Sequence, residues 1–352
     1  ITKEAPEAPA NFGHLDQQFA VRWVQENIAA FGGDPTNITI GGQSAGGGSV
    51  LAQLTSPQNQ GLCQRAIIQS GLFAPLYPNN RRPPRGFSLQ EAEQAGMEFF
   101  AYLGVSSLQE ARELDGEFIR RKALECGRFW GTVIDGQFCT GDPFQLFLEN
   151  KRLQVPVLAG HTSSEFISKP QVQTKEELQN LAQELFADAA PEFLDLIEFN
   201  NSTLEEALEK AGLNTIEYAV HLAARANAEH GGGLPFYYYN FDAEIPGPDN
   251  PGAFHSVDLW FFFETLAKCW RPFVGKHYDL ARQMCNYWAN FIKSGDPNGL
   301  DAAGEPMPHW SPYTNEEPFG MLFRDKPEFA RQGPSPLMEF LVDRFFLKHS
   351  ES

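Results

Sequence analysis

The residues best placed to do chemistry lie in Gly42-Gln43-Ser44-Ala45-Gly46, a Gly-x-Ser-x-Gly pattern. Such a pattern serves a nucleophilic serine when a strand turns sharply into a helix and leaves the hydroxyl at the tip. Both flanks agree with that turn. Ile38 and Ile40 alternate on a short β-branched run that reads as a buried strand, and Val50, Leu51 and Leu54 follow at helical spacing. Glycines 42 and 46 are expected to let the backbone take the turn and the new helix pack tightly on the strand. The helix N-terminus beneath Ser44 favours negative charge developing there. The amide of Ala45, directly after the serine, is the expected first donor to an oxyanion. The competing interpretation, a Gly/Ser-rich turn that fits a loose pattern by chance, leaves the strand and helix on either side unexplained.

A serine hydroxyl is a poor nucleophile and needs an adjacent base, itself oriented by an acid. On such a turn the acid and then the histidine follow the serine in the chain, on loops after later strands. Eight histidines are available. His255 sits late, in a loop after the aromatic run Phe236-Tyr237-Tyr238-Tyr239-Asn240-Phe241, where the base belongs; the alternative is a structural histidine. Among the acids, Glu165 follows the short apolar run Pro156 to Gly160, at the C-terminal strand end where α/β sites form. Asp135 and Asp242 compete with it, and an exposed loop carboxylate is the plain reading of each.

These side chains need a scaffold, and the chain supplies its parts in order. Apolar residues at Leu15, Phe19, Ala20, Trp23, Val24 and Ile28 predict an amphipathic helix, ended by Phe31-Gly32-Gly33-Asp34-Pro35. Arg65 to Gly71 reads as the strand after the Ser44 helix, which makes strand–helix–strand, the unit of a parallel sheet. Residues 74–87, with four prolines and Arg81, Arg82 and Arg85, predict an exposed loop over the site mouth. Helix formers fill 174–230, a helix is expected from Tyr278 to Lys293, and a last one from Pro336 to Phe346. No internal repeat or linker divides the chain.

With 352 residues, 42% of them hydrophobic, the chain can bury a large core in one domain or two. A net charge of −18 argues against nucleic acid or an anionic membrane surface as partner. No run of 18 apolar residues exists to span a bilayer. Cys63, Cys126, Cys139, Cys269 and Cys285 are odd in number and lack metal-ligand spacing, which suits reduced thiols in a cytoplasm. The opening Ile1-Thr2-Lys3-Glu4-Ala5-Pro6 has neither a leader pattern nor an initiator Met, and reads as a processed or interior start.

The sequence resembles the type-B carboxylesterase/cholinesterase family of α/β-hydrolases, especially its bacterial para-nitrobenzyl-esterase-like members. The matching segments are Leu15-Asp16-Gln17, Trp23-Val24, Asn27-Ile28, Phe31 to Pro35, Gly42 to Gly46, Ala66-Ile67, Ser70-Gly71 and Val133 to Gly136. Gly252-Ala253-Phe254-His255, Tyr287 to Phe291 and Gly295 to Gly299 continue the match. The resemblance implies an α/β-hydrolase fold over 1–352, with Ser44 as nucleophile, His255 as general base and Glu165 as orienting acid. It implies two-step hydrolysis of small or aryl carboxylic esters without a metal or organic cofactor. Two departures stand out: the family usually has Asp-Glu-Gly where this chain has Ser164-Glu165-Phe166, and Gln43 stands where Glu is commoner.

In the family further oxyanion donors come from a His-Gly-Gly-Gly loop ahead of the nucleophile. His230-Gly231-Gly232-Gly233 follows an apolar-periodic helix and lies after Ser44, so it reads as a helix stop. Strands that the family carries ahead of Leu15 are not in this chain, which would leave a sheet edge open. The expectation is that a separate N-terminal polypeptide completes the fold and the oxyanion hole. A rival reading is a non-catalytic, cholinesterase-like interaction protein. Within enzymes, Phe73, Trp130 and Phe262 could favour aryl acyl groups, though core packing is the ordinary job of such residues.

Overall fold

Ala66-Ile67-Ile68, Val157-Leu158-Ala159 and Phe236-Tyr237-Tyr238-Tyr239 are apolar or aromatic at consecutive positions, as strands covered on both faces must be. The computed structural model describes residues 10–77, 86–331 and 334–350 and sets these runs side by side. Six strands form one sheet, in this order across it: β1 (Thr39–Gln43), β2 (Arg65–Gln69), β3 (Val157–Thr162), β4 (Phe236–Phe241), β5 (Phe319–Phe323) and β6 (Pro327–Arg331). The first five are parallel, and β6 turns back antiparallel on β5. Helices α1 (Phe12–Asn27), α2 (Ala45–Thr55), α3 (Thr215–His230), α4 (Gly275–Ser294) and α5 (Pro336–Ser350) are the longer elements that flank it or its edge.

Alternate residues of each strand feed two cores. Ala66, Ile68, Val157, Ala159, Phe236 and Tyr238 pack with Val50 and Leu54 of α2, Val220 and Ala224 of α3, and Met338 of α5. Ile67, Leu158, Tyr237, Tyr239 and Phe241 face the other way, onto Met284, Tyr287, Trp288 and Phe291 of α4. There the rings interlock, Tyr239 meeting Trp288 at 5.0 Å and Tyr237 meeting Trp310 at 5.9 Å, both edge to face. Each fully buried Phe-sized side chain contributes roughly 1.5–3 kcal/mol, so this layer clamps β3 and β4 firmly. All five cysteines are free.

The opposite edge is different. Among the described residues nothing pairs with the outer side of β1. The helix expected from Leu15 forms as α1, but its apolar side is not buried: Phe19 is 69% and Trp23 48% exposed. Leu15 and Val21 are partly buried against the core, and the glutamines of the helix add hydrogen bonds, Gln17 Nε2 donating to Ser49 Oγ (3.1 Å), Gln18 Nε2 to Asn59 Oδ1 (2.5 Å) and Gln25 Nε2 to the Gly61 carbonyl (2.9 Å). Of the stretch 74–87, residues 78–85 lie outside the described residues. Ala74, Leu76 and Tyr77 before them are buried rather than exposed, and the Tyr77 hydroxyl donates to the Ala211 carbonyl at 2.8 Å.

The join of β1 to α2 depends on missing side chains. Ser44 has φ 55° and ψ −121°, and α2 begins at the next residue. A Cβ on Gly42 would lie 2.2 Å from the Gly46 carbonyl oxygen, and one on Gly47 would lie 2.7 Å from Gly71 Cα. Gly46, by contrast, has nothing within 4 Å of where its Cβ would stand. The close approach expected of Gly42 and Gly46 is therefore made by Gly42 and Gly47, with Gly46 offering only its backbone.

Behind β4 lies one costly group. Asp258, fully buried, accepts from Tyr239 Oη (2.9 Å) and Gln69 Nε2 (3.1 Å) through Oδ2, while Oδ1 has no partner among the described residues. Burial pushes its carboxyl up to about 6, the hydrogen bonds from Tyr239 and Gln69 hold it back, and the nearby Glu165 carboxylate adds to the rise.

Two measurements follow from this packing. Gly42→Ala and Gly47→Ala should each lower stability by about 1–3 kcal/mol, the usual cost of overpacking against backbone, whereas Gly46→Ala should leave the urea midpoint almost unchanged. For Asp258 the folded state holds its proton more tightly than the unfolded chain, so wild-type stability falls as pH rises from the ordinary aspartate value of 3.8 to about 6. Asp258→Asn removes that loss. Its stability relative to wild type should rise by about 3 kcal/mol between pH 3.5 and 7.5, and equal offsets in urea unfolding at the two pH values would refute the assignment.

Candidate active site

Three side chains from distant parts of the chain meet at the C-terminal ends of the parallel strands. Ser44 stands at the end of β1, Glu165 three residues past the end of β3, and His255 on the loop that follows β4. His255 Nε2 lies 2.8 Å from Ser44 Oγ, and His255 Nδ1 makes a short hydrogen bond to Glu165 Oε2. With Nδ1–H donating to the carboxylate, Nε2 is left as acceptor for the serine hydroxyl. Ser44, His255 and Glu165 are thus linked in one hydrogen-bonded run.

Backbone contacts fix the acid. Glu165 is buried, and the Thr162 amide donates to its Oε1 at 2.9 Å. The Ser163 amide donates to the Phe241 carbonyl and the Ser164 amide to the Ala253 carbonyl, both at 3.0 Å, which ties the acid loop to the loop carrying the histidine. Asn214, ahead of α3, donates Nδ2 to the Thr162 carbonyl at 2.9 Å and caps α3 through Oδ1. The Ser-Glu-Phe variant therefore keeps a well-held carboxylate.

The competing acids are occupied elsewhere. Asp135 accepts the amides of Gln137 and Cys139 and the side chain of Asn11, closing a turn. Asp242 accepts from Ser163 Oγ at 2.5 Å and from Arg324 Nε at 2.8 Å, so it supports the acid loop without touching His255. Gln43 places Nε2 3.3 Å from His255 Nε2, beside the Ser44 hydroxyl. The Ala45 amide opens α2, where first-turn N–H groups have no carbonyl partner within the helix.

His230-Gly231-Gly232-Gly233 lies at the far end of the sheet. The Gly231 amide donates to the Asn227 carbonyl at 2.7 Å to close α3, and the chain then enters β4 at its N-terminal end. It is a helix stop. Of the aromatic candidates, Phe73 meets Phe166, whose ring in turn meets His255; Trp130 packs on Phe99, and Phe262 on Trp288 and Phe263.

Sequence reasoning missed Asp258, and with it the Asp258–Tyr239–Gln69 group behind the acid. A lone carboxylate opening the apolar run Asp258-Leu259-Trp260-Phe261-Phe262, three residues after His255, was the available signal. It also missed how much strain the strand ends carry: Ser44, Ser70, Phe166 and Ser256 all have positive φ without being glycine. Such positions cost roughly 1–3 kcal/mol each and persist where the surroundings over-determine them.

Known proteins share both this sequence and this architecture. The chain is 29% identical over 361 residues to carboxylesterase 4A of Bos taurus, an alignment covering 90% of this chain and 62% of that protein. It is 29% identical over 344 residues to the bile salt-activated lipase of Homo sapiens, covering 88% and 45% respectively. It spans about three-fifths or less of the length of these curated relatives. Among solved structures, a PNB esterase superposes with a TM-score of 0.73 at 26% identity, over 94% of this chain and 68% of that one. A Geobacillus stearothermophilus carboxylesterase superposes with a TM-score of 0.69 at 28% identity, over 94% and 69%. The mostly parallel sheet with its flanking helices is the α/β-hydrolase fold. The sequence pattern of the Carboxylesterase family matches residues 1–336, and the chain belongs to that family.

Proposed function

We propose that this chain carries the acyl-transfer machinery of a serine carboxylic-ester hydrolase, with Ser44 as nucleophile, His255 as general base and Glu165 as its orienting acid. The observation that carries the reading is the continuous hydrogen-bonded run Ser44–His255–Glu165 at the ends of three parallel strands. Ser44 Oγ attacks an ester carbonyl while His255 Nε2 takes its proton. Glu165 holds the Nδ1–H tautomer and stabilises the imidazolium that forms. The Ala45 amide donates to the oxyanion of the tetrahedral intermediate, aided by the α2 N-terminus. His255 then protonates the departing alcohol, and a water activated by the same nitrogen releases the acid and restores Ser44.

Small and aryl carboxylic esters are the substrate class this reading assigns, in keeping with relatives and neighbours named carboxylesterase and PNB esterase. We read residues 1–352 as one portion of an α/β-hydrolase domain. Further strands would continue the sheet at the open side of β1 and bring additional oxyanion donors toward Ser44. The comparisons lend no support to delivery of those strands by a separate polypeptide. Among the described residues no helix is long and apolar enough to cross a membrane; a cytoplasmic setting rests only on the five unpaired thiols.

The test is a burst experiment with p-nitrophenyl acetate. A stoichiometric burst is expected in wild type and none in Ser44→Ala, whose turnover should fall by at least about a thousandfold. Glu165→Gln, which keeps the shape but offers an amide to Nδ1, should lose of the order of a thousandfold in kcat while still reacting slowly with a fluorophosphonate. A burst that survives Ser44→Ala would overturn the assignment.

A further inference from the structure

The His255 side chain is 27% exposed, and its hydrogen bonds run to Glu165, Ser44 and Gln43. The third of these competes with the second, because Gln43 Nε2 points at the same ring nitrogen that must accept the serine proton. A rotation of the imidazole about its Cβ–Cγ bond would break the bonds to both Glu165 and Ser44. Something has to hold the plane of the ring.

Phe166 is the group in position to do so. Its ring centre lies 4.7 Å from that of His255, with the planes at 77°, an edge-to-face contact. On its other side Phe73 meets it edge to face at 6.3 Å. Phe73 is in turn partly buried against the core cluster that includes Leu72 and Ala74. The Phe166 side chain is nevertheless about half exposed, so packing into the core does not explain it. Nor does backbone preference. Its φ is +46°, imposed by anchors on both sides: the Thr162 amide on Glu165 before it, and Thr215 N and Oγ1 donating to its own carbonyl at 3.2 Å. Glycine would meet that angle without a steric penalty. An exposed aromatic in a left-handed conformation, one residue from the acid and against the base, is where a local cost signals a function.

We propose that Phe166 is a positioning residue for His255: backed by Phe73, its ring holds the imidazole in the one plane that serves Glu165 and Ser44 together. The outward part of the same ring is an apolar wall on which the aryl portion of an ester settles. The second statement rests on the ester-hydrolase reading; the first concerns the His255–Glu165 contact and stands apart from it.

The experiment compares wild type with Phe166→Gly, Phe166→Leu and Phe166→Tyr, reading three quantities. These are kcat and KM on p-nitrophenyl acetate and p-nitrophenyl benzoate, the thermal midpoint, and the low-field NMR signal of the His255 Nδ1 proton in histidine-labelled protein. Phe166→Gly should lower kcat on acetate by about ten- to a hundredfold, up to the cost of a misplaced catalytic group, with KM little changed and a thermal midpoint no lower than wild type. Its kcat/KM on benzoate should fall further than on acetate, and the Nδ1 proton signal should broaden through exchange. Phe166→Tyr should restore the rate and the sharp signal. Phe166→Leu keeps the strained backbone and loses only the ring, so it should behave like the glycine variant in kcat and in the NMR signal. Wild-type kcat together with a sharp Nδ1 signal in both the glycine and leucine variants would overturn the proposal. If wild type shows no Ser44-dependent hydrolysis, the hydrolase reading and the aryl wall fall, while the NMR comparison still decides the positioning role.

Discussion

Everything at this site depends on how closely α2 can approach the sheet. The chain must leave β1 and enter a helix within one residue, and Ser44 does this at φ 55° and ψ −121°. That geometry is available only because the Gly46 carbonyl can rest where a Gly42 side chain would be, and because Gly47 and Gly71 meet backbone to backbone. A bulkier residue at either contact would lift α2 off β2. The serine hydroxyl would then move away from an imidazole carried by a loop more than 200 residues later in sequence. The distance of 2.8 Å between Ser44 and His255 is thus set by the absence of atoms at the base of the helix as much as by the two side chains.

The partners of Ser44 are held by a different device. Glu165 and His255 sit on loops, and the loops are stitched to each other by the amides of Ser163 and Ser164 and to α3 by Asn214. Underneath, Asp258 carries a carboxyl that burial keeps reluctant to ionise, next to an acid that the proposed chemistry needs as an anion. The bill for this arrangement appears as positive φ at Ser44, Ser70, Phe166 and Ser256, while the stability comes from the aromatic layer on α4.

Much of this was legible in the sequence, for identifiable reasons. Continuous apolar runs such as Val157-Leu158-Ala159 marked strands buried on two faces, and the spacing after Ser44 marked the helix. That Ser44, Glu165 and His255 would come together was legible because their motifs sit at strand ends, where α/β folds collect function. The β5–β6 hairpin was not, since Phe319-Gly320-Met321-Leu322-Phe323 is too short and apolar to separate from a buried helix turn by pattern. The roles of Gly42 and Gly46 were read from the motif as equal, and only packing distinguishes them. Amphipathicity in α1 was real, yet periodicity states which side is apolar and not what will cover it; here Phe19 and Trp23 stay exposed while the glutamines hydrogen-bond to the body of the protein. Asp258 escaped because a single acidic residue in an aromatic run looks like a helix cap until the burial is known.

The side of β1 that no described residue pairs with has a bearing on how residues 1–352 would behave if taken by themselves. Such an edge, on a chain that also exposes Phe19, Trp23 and Phe31, is a template for a second copy. A net charge of −18 opposes that pairing, and the repulsion reaches only about 8–10 Å at ordinary ionic strength. Salt, which shortens the repulsive range, and acid, which lowers the net negative charge, are each expected to favour association of residues 1–352 through this edge while leaving the edge itself unchanged.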